Sequence, residues 1–339
     1  MKSSTKIVLV IAIILLGVSF WFFNGKQDST VEISAEDFAI KDTSSIYKIY
    51  MADTRANTIT LERKEGNKWM LNGKYWARKD AIDNILKFCV LVDLKGKVPK
   101  KSLDGITKLM ATRHTKVEMY DKETNLIKTY YVGNATQNHL GTFMLLETPE
   151  NGMIKEPLVM GMKGFIGILG PRFFTDEIEW KSIEAFSYAI NDIKQISVKY
   201  YEEPQESFTI KYMGGNNIEL YAANNQKINS FDTVALKNYM LGYRSASFEI
   251  YKTKFSPLQI DSVFRTEPFA EFSVTDKNNK ITTATIYNKI NRTEMENKPD
   301  SLYYDTEAKY GTLDKKDLAI LQVYAFGKLF EPLSSFAKK

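Results

Sequence analysis

Cysteine is almost absent from this chain: its 339 residues include one, Cys89. A lone cysteine excludes an intrachain disulfide, so stability has to come from packing. Cys89 also falls on the stripe Ile82, Ile85, Leu86, Cys89, which has helical spacing and marks it as a core thiol. Histidine is nearly as scarce. His114 and His139 are the only two, and no carboxylate or cysteine cluster flanks them at ligand spacing, so neither a metal nor any other cofactor is expected. The Gly-x-Ser-x-Gly elbow of serine hydrolases is missing, as are both glycine patterns that cradle phosphates. Basic residues outnumber acidic ones only 46 to 41 and are spread along the chain. Without a basic stripe, nucleic acid is not an expected partner.

What is present begins with one long apolar run. Ile7 to Phe23 carries no charge, is preceded by Lys2 and Lys6, and ends on Trp21, Phe22 and Phe23. As a helix it would cover roughly 25 Å, enough to span a bilayer at the short end of the range. A cleaved signal peptide would need small residues after the apolar core, and three aromatics stand there instead. A lipoprotein would need a cysteine at that point, and the sequence has none there. A retained anchor is therefore expected, in contact with the lipid bilayer through residues 7–23. Its lysines would lie on the cytoplasmic side, and Trp21, Phe22 and Phe23 at the outer membrane interface. Asp28, Glu32, Glu36 and Asp37 follow, so the body is expected in the periplasm, tethered to the inner membrane.

The body, 44% hydrophobic and 26% charged, can fill one or two cores. Its 19 Tyr and 20 Phe, set in short alternating stretches, favour strands. The order of elements occurs twice. Strands are expected at 46–50, 58–64 and 69–71, then a helix capped by Asp80. Strands at 193–200, 208–212 and 218–221 follow the same order, then a helix starting near Ser230. The stripe Leu236, Tyr239, Met240, Tyr243 repeats Ile82, Ile85, Leu86, Cys89 at a constant shift of 154. Val117 to Tyr120 matches Phe272 to Thr275 at 155, and Met144 to Thr148 is paired with Leu302 to Thr306 at 158. The expected fold class is α+β: a transmembrane helix, then two similar modules of mostly antiparallel sheet, each with one main helix. The expected divisions are a cytoplasmic stub (1–6), the anchor (7–23), a linker (24–45), a first module (46–160), a glycine-rich inter-module segment (161–185) and a second module (186–339).

Gly161, Gly164, Gly167 and Gly170 recur every third residue in that segment, interleaved with apolar residues. Neither helix nor strand accommodates the pattern well. It reads as a loosened connection tucked between the modules. The alternative is a docking loop with Phe165, Phe173 and Phe174 as anchors and Arg172 pairing a carboxylate or phosphate. Asp176, Glu177 and Glu179 read as the solvated start of a short helix.

Gly66-Asn67-Lys68-Trp69-Met70-Leu71, the helix after Asp80, and Gly164 to Leu169 leading to Arg172-Phe173 and Trp180 together resemble an uncharacterised family of membrane-anchored envelope proteins. That family is associated with gliding-type ABC transport components of Gram-negative bacteria. Ile168 departs from the aromatic that relatives carry there. The resemblance implies an accessory or scaffold subunit of an envelope complex, working through contacts with membrane or periplasmic proteins and without catalysis. A cell-wall ligand-binding or hydrolytic module, with its site in the groove between the modules, is the alternative expectation.

Overall fold

The structure is a computed structural model that describes residues 34–252, 254–291 and 303–338. Among them no helix is long and apolar enough to cross a membrane. The span expected at 7–23, with Trp21, Phe22 and Phe23, lies outside the described residues.

The described body is α+β and built on two large antiparallel sheets. In the first, β1 (Lys48–Asp53), β2 (Thr58–Arg63), β3 (Trp69–Leu71) and β4 (Tyr75–Trp76) form a meander. Alternation buries Ile49, Met51, Ile59, Leu61 and Leu71 on one face. The Asn72-Gly73 pair, with φ of 48° and 67°, closes the β3–β4 hairpin in the conformation such a turn requires. Helix α1 (Ala35–Phe38) precedes this meander, and α2 (Lys79–Leu91) follows it, burying Ile82, Ile85, Phe88 and Cys89. Then come β5 (Val92–Lys97), α3 (Lys100–Thr112), β6 (Thr115–Tyr120), β7 (Leu126–Ala135), β8 (Thr142–Thr148), β9 (Gly152–Met153) and β10 (Leu158–Met162). The sheet runs β4-β3-β2-β1-β6-β7-β8-β10-β5, with β9 on β8.

After α4 (Glu177–Trp180), the second half forms β11 (Glu184–Phe186), β12 (Ile193–Tyr200), β13 (Phe208–Tyr212), β14 (Ile218–Ala222) and β15 (Lys227–Ile228). Next are α5 (Thr233–Leu241), β16 (Ala246–Ser247), β17 (Ile250–Tyr251), α6 (Pro257–Phe264), β18 (Ala270–Asp276), β19 (Ile281–Ile290), β20 (Tyr304–Thr312), β21 (Ala319–Gln322) and α7 (Val323–Phe326). The second sheet runs β15-β14-β13-β12-β18-β19-β20-β21-β17, and each strand holds the place of its counterpart in the first.

Register fixes the correspondence residue by residue. Asp53 faces Thr115 as Tyr200 faces Ala270, and Val132 faces Met144 as Ile286 faces Gly311. Met144 therefore corresponds to Gly311, not to Leu302: the sequence pairing of 144–148 with 302–306 is displaced, because the chain between β19 and β20 is longer than that between β7 and β8. Each unit also has two substantial helices instead of one, since α3 and α6 were not anticipated. Helix α2 starts two residues ahead of expectation. Arg78 is its N-cap and Asp80 sits in the first turn, paired with Arg78 at 2.5 Å.

The glycine-rich segment belongs to the first unit. Leu169, Phe173 and Trp180 lie in the same core as Phe38 and Phe88, while the second core begins at Ala185. The chain after β21 does the same for the second unit, burying Phe326, Leu329 and Phe336. Each of these closing segments ends on equivalent bonds: the Arg78 N–H donates to the Trp180 carbonyl (2.8 Å), and the Asp232 N–H to that of Phe336 (2.9 Å).

Lys181 joins the units. Its backbone forms a bridge with Ala77, while its ammonium reaches Asp314 at 3.2 Å and Asp317, and lies over the rings of Tyr75 and Tyr251. Burial pulls the Lys181 pKa down, but the Asp317 hydrogen bond and neighbouring negative charge outweigh it, and the net shift is upward. Burial pushes Asp314 up, yet backbone N–H donors and Lys181 bring it below 3.8. The junction should therefore be stable in a window. The Lys181 contribution is complete below pH 10.5 and fades as pH rises through the raised folded value; that of Asp314 is complete above pH 3.8 and fades as pH falls through the lowered one. Lys181→Ala is expected to cost about 2 kcal/mol in urea unfolding at pH 7, less than for a fully buried pair because both aspartates are partly exposed. An unchanged midpoint would show the junction to be held by packing alone.

Candidate functional site

A cleft of about 1080 Å³ opens at one end of the first sheet. It lies where β1 and β7 end and β2 and β6 begin, and the closing segment 170–177 forms its opposite wall. Asp53, the last residue of β1, ties the two sides together. One carboxylate oxygen accepts the N–H groups of Arg55 (2.9 Å) and Asn57 (3.0 Å); the other accepts from the Asn57 amide and from the Thr175 hydroxyl, both at 2.9 Å. Partial burial raises the Asp53 pKa, but these four donors more than reverse it and hold it at about 2. Asn72 makes a second tie, accepting the Thr60 N–H (2.8 Å) and donating to Glu177 (2.6 Å).

His114 enters the cleft just before β6. Its Nδ1 lies 2.7 Å from the Met110 carbonyl, which can only accept, so Nδ1 carries the proton. In the neutral ring Nε2 is then an acceptor. Arg113 and Asn134 are exposed at the rim. The apolar lining, Val132, Phe173 and Phe174, is largely covered.

The expected docking residues divide between surface and core. Phe165 is 37% exposed, and the Arg172 guanidinium stacks 4.3 Å from its ring centre while bonding the Ile168 carbonyl at 3.1 Å. Burial lowers the Arg172 pKa, and its Nε has no hydrogen-bond partner. Phe173 is 2% exposed and meets Phe88 edge-on at 5.1 Å; Phe174 stacks on Trp180 at 4.4 Å. These two rings face inward, and only Phe165, beside Ile166 (85% exposed), offers apolar surface. Asp176 and Glu177 line the cleft, Asp176 as the cap of α4. A ligand site was expected between the modules; at that junction Lys181 lies over the Tyr75 and Tyr251 rings, and the cleft described above lies within the first unit. His139 occupies the β7–β8 turn. Among the described residues, no three metal-ligating side chains gather.

The corresponding end of the second unit has the opposite chemistry. Tyr200 stands where Asp53 does and Phe269 where His114 does, each fixed by the register of its neighbours. Their rings meet at 6.0 Å, and Phe269 packs on Phe330 of the closing segment at 5.6 Å. The Tyr200 hydroxyl bonds the Glu331 carbonyl at 3.1 Å, and Glu206 accepts the Ser334 N–H at 2.9 Å. Sequence reading missed the cleft because its residues come from five separate places in the chain. One signal was visible: an Asp53-x-x-x-Asn57 turn of the kind repeated at Asp121 to Asn125.

No family model, no curated protein and no solved structure matches this chain.

Asp53→Asn is expected to lower stability by about 1–2 kcal/mol at pH 7 through loss of charge-assisted bonds. The wild type should lose that increment as pH falls from 3.8 toward 2, the range between the usual carboxyl pKa and the value held in the fold. Wild-type and variant unfolding curves that stay parallel over this range would contradict the assignment. Phe173→Ala should cost about 3–5 kcal/mol as a buried ring, and Phe165→Ala less than 1 kcal/mol, in the same denaturant measurement.

Proposed function

We propose that this chain is a non-catalytic recognition protein of the cell envelope, an accessory or scaffold subunit tethered by its 7–23 span, in which the first unit binds and the second braces it. The observation that carries this reading is the asymmetry between two otherwise matching units. An open polar cleft stands at the end of one sheet, and aromatic rings pack the same end of the other. A purely mechanical spacer has no use for that difference, because filling both ends would stabilise both units. The envelope location and the link to membrane or periplasmic proteins of a transport or gliding assembly are supported by the charge-flanked apolar run and by the family resemblance. Hydrolysis of cell-wall material is the weaker reading: Asp53 and Glu177 are both committed to structural hydrogen bonds.

A photo-crosslinking residue placed at Asn134, on the cleft rim, is expected to capture a discrete adduct in living cells. The same residue at the corresponding Asn288 should give none. Equal adducts at both positions, or none at either, would count against the first unit as the recognition surface.

A further inference from the structure

The chemistry of the cleft narrows what it can hold, given the recognition reading above on which this inference rests. Two guanidinium groups, Arg55 and Arg113, face three carboxylates, Asp53, Asp176 and Glu177. Between arginines and carboxylates the charges nearly cancel. An anionic ligand would meet the carboxylates and a cationic one the arginines, so neither sign is selected. An apolar peptide anchor is not accommodated either, since Val132 and Phe173 are only 4% and 2% exposed and Phe174 is held against Trp180. The rest of the lining is three asparagines, five threonines and two glycines, together with His114. Amides and hydroxyls both donate and accept at short reach, which suits a ligand whose own groups do both. The cleft's volume of about 1080 Å³ exceeds that of a single small metabolite site and suits a chain of a few rings.

We propose that the cleft of the first unit binds a short neutral oligosaccharide. The sugar hydroxyls would replace water on Asn134, Arg113 and the threonines of the rim, and His114 Nε2 would accept from one of them. Asp53 acts indirectly, by holding the Thr175 wall against the β1–β2 turn. The second unit cannot bind in the same way, because Tyr200 and Phe269 stand where Asp53 and His114 would be.

The test uses the full-length chain in a detergent without a sugar headgroup. Neutral tri- and tetrasaccharides of glucose, mannose, galactose and N-acetylglucosamine are titrated by calorimetry and by saturation-transfer NMR. At least one series is expected to bind. Asn134→Ala and Arg113→Ala, both at exposed positions, should weaken it about tenfold with an unchanged unfolding midpoint, as loss of about one good hydrogen bond each would. His114→Phe, which imports the second unit's ring, should abolish it. Failure of every neutral series to bind, binding indifferent to all three variants, or preference for hexuronate oligomers or peptides would overturn the proposal. A protein adduct at position 134 in cells together with no sugar binding would remove the sugar and leave the recognition reading standing.

Discussion

Both units depend on one bond made at long range: the first amide of the main helix donates to a carbonyl at the end of the unit's own closing segment. The amides of an opening helix turn have no partner within the helix. In the first unit the Arg78 N–H donates to the Trp180 carbonyl, at the end of the segment that lays Phe173, Phe174 and Trp180 over the core. In the second, Asp232 caps α5 with its carboxylate and its own N–H meets the Phe336 carbonyl. The bond is equivalent in the two: the carbonyl comes from a buried aromatic, Trp180 or Phe336, while the donors Arg78 and Asp232 carry opposite charges. Backbone needs conserve the architecture here while side chains drift.

From that closure the rest follows in order. The closing segment of the first unit brings Thr175 and Glu177 to the end of the sheet, where Asp53 and Asn72 bind them and leave the cleft walled. One residue beyond Trp180 comes Lys181, positioned by the same turn to reach Asp314 and Asp317 in the second unit. Closure, cleft and junction are thus set by one stretch of about a dozen residues, which is why a segment that reads as a loose connection is among the most constrained in the body.

The repetition was legible where a pattern is local. Period-two alternation located β3, β12 and β13 with their observed limits; the stripe on α2 was read on its helix, and that of α5 runs on through Tyr243 in the 3-10 turn after it. Two helices were missed although each carries a sign. Leu103, Ile106, Leu109 and Met110 give α3 one shielded edge, but Gly105 interrupts it; Ser256 and Gln259 make a capping box for α6 ahead of only eight residues. The wrong partner for Met144 came from matching letters where an insertion had moved the strand; only ladder register could correct it. The cleft was not legible, because spatial convergence of turns from distant strands leaves no periodic trace.

The aromatic filling of the second unit has a consequence for how the chain tolerates change. Tyr200, Phe269 and Phe330 contribute cohesion at a place where the first unit has solvent and satisfied polar groups. A substitution at that end of the second unit removes packing from a filled core, whereas one on the exposed rim of the first removes little. In a doubled architecture of this kind the second copy, joined to the first through Lys181, carries cohesion that the open end of its sibling does not supply.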